Sequence, residues 1–222
     1  MSNGAIVSVR VGRVRELSRP AWDHHEERFW RSAFGKDEVE GPVRVTTLGL
    51  EGDEQADTAV HGGPQQAVLA YAAAHYPHWR EVPGLEAMGP GGFAENLTVE
   101  TFDELGVCVG DVFEAGDVTL QVSQPRGPCS GISRWWNEPR MVKLATESVR
   151  VGWYHRVLRE GTLERGDTYR LLERPNPGLS VARVFRLRTG LDHDPDAVRA
   201  LIACPELSPE WQGHFRKLLA SG

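Results

Sequence analysis

The sequence predicts an α+β, mostly β body followed by a small helical unit. Glycine and proline are frequent, 24 and 14 among 222 residues, and apolar and polar residues alternate in several segments before residue 174. After residue 178 the apolar spacing becomes helical. Glycine exceeds its usual share of about 7%, which implies many turns. At roughly 150 residues per domain, the length suits one large domain with an appendage.

From Ile6 to Val14, the apolar Val7, Val9 and Val11 alternate with Ser8, Arg10 and Gly12, the pattern of a half-buried strand. Arg19 to Gly41 mixes Pro20, Trp22, His24, His25 and Trp30 with many charges and reads as a long loop or a short amphipathic helix. Val43 and Val45 alternate with Arg44 and Thr46, a second strand running into the turn-rich LGLEGDEQ. QAVLAYAAAHYPHW, residues 66 to 79, has helix formers and few turn residues before Pro77, so a helix is predicted there, begun by Gly62, Gly63 and Pro64. GDVFEAGDVTLQVSQP reads as a hairpin turning at residues 114 to 117. A helix over Pro139 to Val149, a strand over Thr168 to Leu172 and a linker at 174 to 178 follow. Val181, Val184 and Phe185, then Val198, Leu201 and Ile202, then Trp211, Phe215, Leu218 and Leu219 indicate three short helices. Pro195 and Pro209 suit first turns and Ser208 an N-cap. The predicted division is therefore a body over 1–175 and a three-helix domain over 179–222.

Composition narrows the function. With 40% apolar and 25% charged residues the chain can bury a core. No apolar stretch approaches the roughly 20 residues of a spanning helix, so no membrane partner is expected. The net charge of −6 argues against nucleic acid, whose binding domains present a basic face. MSNGAIVSVRVG lacks a signal-peptide pattern, and three scattered cysteines suit a reducing compartment; a cytoplasmic location is expected.

Cys129 is the most informative thiol. In SQPRGPCSG two prolines and two glycines impose irregular backbone, and Arg126 stands three residues earlier, where a guanidinium favours the thiolate. A cysteine that merely fills a tight loop accounts for the local sequence equally well. Cys108 and Cys204 lie in apolar runs and read as packing. His75 and His78 have i, i+3 spacing but no third ligand follows, so they read as an exposed or half-buried helix face, and His24 and His25 as solvated loop. His61, in VHGGPQQ, precedes two glycines at a predicted helix start, where backbone N–H groups can hold an anion; a plain turn is the alternative.

The ordered set LGLEGDEQAD (48–57), VHGGP (60–64), FAENL (93–97), VGDVF (109–113), SQPRGPC (123–129) and VGWYHRVL (151–158) closely resembles the MOSC domain proteins of the YiiM-like branch. The resemblance spans most of residues 5 to 175, and the tail resembles the three-helix domain this branch carries. It implies a mixed β-barrel that holds molybdenum cofactor, a pterin dithiolene bearing a phosphate, with Cys129 as thiolate ligand to molybdenum. Lys36, in SAFGKDEVEGPV, falls where the family has a cofactor-binding lysine. Arg126 and Arg156 are further anion-binding candidates, and Asn96 and His61 candidate hydrogen-bonding groups for pterin or substrate. FAENL departs from the family by carrying Ala94 where glycine is usual, which would strain a backbone of positive φ.

The resemblance implies reduction of N-hydroxylated compounds, such as hydroxylaminopurines, to amines, with the proton coming from His61 or a water. Neither a GxGxxG after a strand nor an iron–sulfur cysteine cluster is present, so an external electron-donor reductase is expected. Two other readings remain: a sulfur carrier or sulfurtransferase holding a Cys129 persulfide, and a cofactor-binding protein without turnover. The apolar faces of the tail would serve electron delivery, closure of the site, or a homodimer.

Overall fold

The computed structural model describes residues 3–221; Met1, Ser2 and Gly222 lie outside the described residues. The strands are β1 (Asn3–Val11), β2 (Arg15–Ser18), β3 (Phe29–Ser32), β4 (Asp37–Glu38), β5 (Val43–Thr46), β6 (Gly49–Leu50), β7 (Val68–Ala72), β8 (Leu97–Val99), β9 (Val112–Ala115), β10 (Val118–Pro125), β11 (Trp153–Arg159), β12 (Gly161–Leu163) and β13 (Thr168–Glu173). The helices are α1 (Tyr76–Arg80), α2 (Ser130–Trp135), α3 (Met141–Ser148), α4 (Val181–Thr189), α5 (Pro195–Ala203) and α6 (Pro209–Ser221).

Seven strands close a barrel in the order β13-β9-β10-β11-β7-β8-β1, with β1 pairing back onto β13 and β4 continuing from β1. The β7–β8 pair is parallel and the other pairs antiparallel, so the barrel is mixed. Inward-facing residues fill it with Ile6, Val9, Leu97, Leu120, Val122 and Trp153, and with the rings of Phe113 and Tyr169 stacked at 4.1 Å. His155 sits fully buried among them. Its Nδ1 lies 3.2 Å from the Val68 carbonyl, which can only accept, so Nδ1 carries the proton and Nε2 accepts from the Tyr169 hydroxyl at 2.7 Å. Burial pushes its pKa down to about 4, and the ring is neutral.

The 112–125 hairpin, the 43–46 strand and the helix within 139–149 stand as predicted. The helix predicted over 66–79 does not: Val68–Ala72 is a strand, and only Tyr76–Arg80, after a 3-10 turn at Ala73–His75, is α-helical. All five residues of β7 are buried between β11 and β8, and a strand covered on both faces shows neither the period of two nor that of 3.6. His75, expected on an exposed or half-buried face, is buried with Nε2 2.5 Å from Glu104. Residues 19 to 41 hold no helix and are not wholly loop: 19–28 are irregular, and β3 pairs with β2 in a separate two-stranded arm.

The three tail helices fall where the apolar spacing put them. Ser180 caps α4, Asp194 caps α5 ahead of Pro195, and Ser208 Oγ accepts from the Trp211 N–H at 3.4 Å. They do not stand apart from the barrel. Val181 N–H donates to Val107 O, Val109 N–H to Leu179 O and Ser208 N–H to Ser123 O. Phe185, Leu201, Trp211 and Phe215 belong to one buried cluster with Tyr71, Trp79, Phe93, Ile132 and Met141. The inner apolar residues of the tail are thus used within the chain, while Leu218 and Leu219 stay exposed. No helix among the described residues is long and apolar enough to cross a membrane.

The shared core makes a specific prediction. Each large apolar side chain taken out of contact costs about 1.5–3 kcal/mol, so four or five of them rival a whole domain's stability of about 5–15 kcal/mol. Removing residues 179–222 should therefore abolish the near-ultraviolet circular dichroism and the cooperative melt; a truncated chain that melts cooperatively near the full-length Tm refutes the shared core.

Candidate active site

One cavity of 310 Å³, within the size range of small-molecule sites, collects residues from distant parts of the chain. Its lining includes Lys36, His61, Asn96, Arg126 and Cys129 from the expected set, together with Trp30, Phe34, Asp53, Phe93, Arg134 and Tyr154. Arg156 is not among them.

Cys129 is placed by the end of β10. The ladder to β11 runs to Pro125, and Arg126 N–H extends it by one bond to Gly152 O at 3.0 Å. Pro128 has no N–H to continue it, and the chain turns so that Cys129, at φ −118°, begins α2 half-buried in the cavity wall. Burial pushes its thiol pKa up. The His61 hydrogen bond, the Arg126 guanidinium and the Gly131 N–H outweigh burial and hold it at about 6. The same contact raises the pKa of His61, against burial and Arg126, with help from Asp57. Thiolate and imidazolium support each other.

Arg126 is 5% exposed and its Cζ lies 5.6 Å from the centre of the Phe93 ring. Its Nη1 is buried with no acceptor among the described residues. A buried unpaired donor costs about 1–3 kcal/mol, and more on a charged group, so the atom is a donor open to a group bound in the cavity. Lys36 is also buried but already matched: its Nζ pairs with Asp53, while burial lowers its pKa and Asp53 opposes the shift.

Two expected ligands have other work. Asn96 lines the cavity, yet its Oδ1 accepts from Leu69 N–H at 3.0 Å and its Nδ2 donates to Arg10 O and to Asp53 at 3.2 and 2.9 Å. Its amide hydrogens are spent on the scaffold, so Asn96 faces the cavity without a free donor and with one remaining lone pair on Oδ1. Arg156 donates to Gln65, Gln121 and the Glu206 carbonyl at 2.6–2.9 Å, joining barrel to tail outside the cavity. Its reading as a cofactor ligand is corrected for the same reason: every guanidinium nitrogen already donates. Asp53 lies in the LGLEGDEQAD motif but nothing local marks its role, and Trp30 and Phe34 lie within residues 19–41, which carry no regular period.

The Ala94 expectation is met. Its φ is 57°, so the FAENL loop keeps a left-handed residue although the side chain is not hydrogen. Glu95 holds the loop from within, fully buried, accepting from Tyr76, from Gly91 N–H at 2.7 Å, Phe93 N–H at 3.1 Å and Thr98 Oγ1 at 2.7 Å.

The mixed seven-stranded barrel with three helices packed against it matches the fold of solved YiiM structures. Residues 57–170 match the MOSC domain and residues 179–222 the YiiM-like, 3-alpha helix domain, and the chain belongs to this family. It is 34% identical to the protein YiiM of Escherichia coli K12 over 86% of each chain. It is 37% identical over 83% of its length to a protein of Gibberella moniliformis named reductase, of which it spans only 32%. The crystal structure of YiiM from Geobacillus stearothermophilus superposes with a TM-score of 0.79 at 31% identity, covering 97% of this chain and 99% of that one.

Two measurements test this geometry. Relieving a left-handed alanine returns roughly 1–2 kcal/mol, and glycine gives back about 0.4–1 kcal/mol through its freer unfolded chain. Ala94→Gly should thus raise the Tm by a few degrees, and a lower Tm contradicts the strain. A depressed thiol pKa extends the thiolate to lower pH, so Cys129 alkylation by iodoacetamide in cofactor-free protein should reach half its plateau near pH 6. An ordinary cysteine does so near about 8.5. Arg126→Ala should move the midpoint upward; a wild-type midpoint of an ordinary thiol contradicts the arrangement.

Proposed function

We propose that the chain is a molybdenum-cofactor-dependent reductase of N-hydroxylated compounds, fed by an external electron-donor reductase. The observation that carries this reading is the buried, unpaired Nη1 of Arg126 beside a Cys129 thiolate in a cavity of small-molecule size. The residues present fit the cofactor: a soft anionic sulfur suits a thiophilic metal, and an unmatched cation suits a phosphate or an anionic pterin. The reductase name of the Gibberella relative supports the class of reaction.

Bound there, the cofactor would supply the two-electron chemistry that removes an oxygen atom from an N–O group. Cys129 would hold the metal as thiolate. Arg126 would bind the anionic part, with the Lys36–Asp53 pair keeping a second cation in the wall. The ring of Phe93, under Arg126, excludes water from the guanidinium and strengthens its attraction for an anion. His61 holds a proton at its imidazole beside the thiolate, where one of the two protons needed to turn the hydroxylamine into amine and water can be drawn.

Protein from a host that makes molybdenum cofactor should carry molybdenum and pterin. A charge-assisted hydrogen bond contributes about 1.5–3 kcal/mol, and each 1.4 kcal/mol or so is tenfold in affinity, so Arg126→Ala should lower pterin occupancy at least about tenfold in affinity terms. With an artificial electron donor, Cys129→Ser should abolish hydroxylamine reduction while Cys108→Ser and Cys204→Ser retain it. Metal-free protein with cyanide-releasable sulfur on Cys129 would establish the sulfur-carrier reading instead, and metal without turnover the binding-protein reading.

A further inference from the structure

The cavity has two walls of different character. Cys129, His61 and Arg126 form the inner one. The outer one is aromatic, with Trp30 and Phe34 from the arm and the segment after it, and Arg134 from α2, whose Cζ lies 5.4 Å from the centre of the Trp30 ring. The walls meet above Gly131. A Cβ placed there would lie 3.4 Å from Cys129 Sγ, 3.7 Å from the Trp30 ring and 3.9 Å from the Phe34 ring. The aromatic surface therefore comes within one side chain's width of the thiol, and only glycine leaves that space open.

Polar contacts hold the arm in place. Asp23 accepts from Arg134 Nε at 2.6 Å and from Arg19 at 2.7 Å, and Trp22 Nε1 donates to Asn137 at 3.0 Å. Arg134 thus latches the arm and stacks on its tryptophan at once. Trp30 also borders a shallow groove with Glu16, Glu27 and Phe29 on the arm, so it stands between the cavity and solvent.

We propose that Trp30, held by Arg134, is the surface on which the flat conjugated ring of an aromatic N-hydroxylated substrate stacks, making the arm a selector of planar over non-planar substrates. This rests on the reductase reading. Indole and guanidinium planes are the protein groups that stack best on flat conjugated rings. The pterin is another flat ring, but it belongs to an anionic group, and the unmatched cation lies on the inner wall. Arg134 is engaged by Asp23, which it shares with Arg19, and lies on the Trp30 ring, so on the outer wall the guanidinium serves to hold the indole and the wall suits an uncharged ring entering from solvent.

The test compares 6-hydroxylaminopurine with N-cyclohexylhydroxylamine, flat against non-planar, on metal-loaded protein with an artificial donor. Trp30→Ala should lower the ratio of their kcat/KM values at least about tenfold, chiefly through KM of the flat substrate, and Trp30→Phe should restore most of it. Metal and pterin contents should match the wild type. An unchanged ratio, or pterin lost together with the indole, overturns the proposal, the latter giving the wall to the cofactor. If loaded wild type reduces neither compound, the reductase reading fails on its own, and calorimetric binding of adenine then decides the stacking surface. Adenine should bind wild type at least about tenfold more tightly than Trp30→Ala; equal affinity, or no binding to wild type, overturns it.

Discussion

Asp53 carries its carboxylate at 5% side-chain exposure, and donors from separate segments converge on it. Gly12 N–H reaches it at 2.6 Å from the end of β1, Asn96 Nδ2 at 2.9 Å from just before β8, and Gln55 Nε2 at 3.4 Å, with Lys36 paired alongside. A buried ammonium without this partner would be costly, since removing one member of a buried pair typically costs about 3–5 kcal/mol. The arrangement also decides how charge is distributed in the cavity. Lys36 is compensated where it stands, whereas Arg126 keeps a buried N–H with no acceptor among the described residues.

The second constraint is the joining of barrel and tail. Phe93, the ring beneath Arg126, lies in the same cluster as Phe185 and Trp211, and Arg156 ties β11 to the Glu206 carbonyl. Glu104 adds a further connection: its carboxylate accepts from Val151 and Gly152 N–H at 2.9 and 2.7 Å, while its carbonyl accepts from Ala182 N–H at 2.8 Å. The tail thus supports the strand end from which the cysteine loop departs, since Gly152 O receives the last ladder bond of that loop.

What could be read from the sequence was what local physics specifies. The 112–125 hairpin announces itself by a glycine turn between alternating strands, and the tail helices by spacing and caps. Val68–Ala72 could not be read that way, because its identity as a strand depends on neighbours covering both faces. At the site, Cys129 and Arg126 share one short loop, and His61 stood out by its glycines; all three meet. Asn96 and Arg156 show the limit. Their chemistry as donors is plain from residue type, but whether those donors are free depends on Leu69, Gln65, Gln121 and Glu206, which only the folded chain brings to them. The arm was illegible because its fixed points, Arg134 and Asn137, lie more than a hundred residues away.

Closure of the barrel carries a consequence for how the molecule comes into being. Asn3, Gly4 and Ala5 pair with Arg170, Tyr169 and Thr168, so the first strand synthesised has as one neighbour the last strand of the barrel. Contacts so far apart in sequence form late, because a long loop must close before they contribute, and folds rich in them fold slowly. Val181, from the start of the tail, also joins the barrel's buried cluster. On the ribosome, the barrel cannot close over Ile6 and Val9 until residues 168–170 have emerged. The interior that would receive a ligand is closed only when residues 168–170 reach the first barrel strand, so the cavity is a late product of folding.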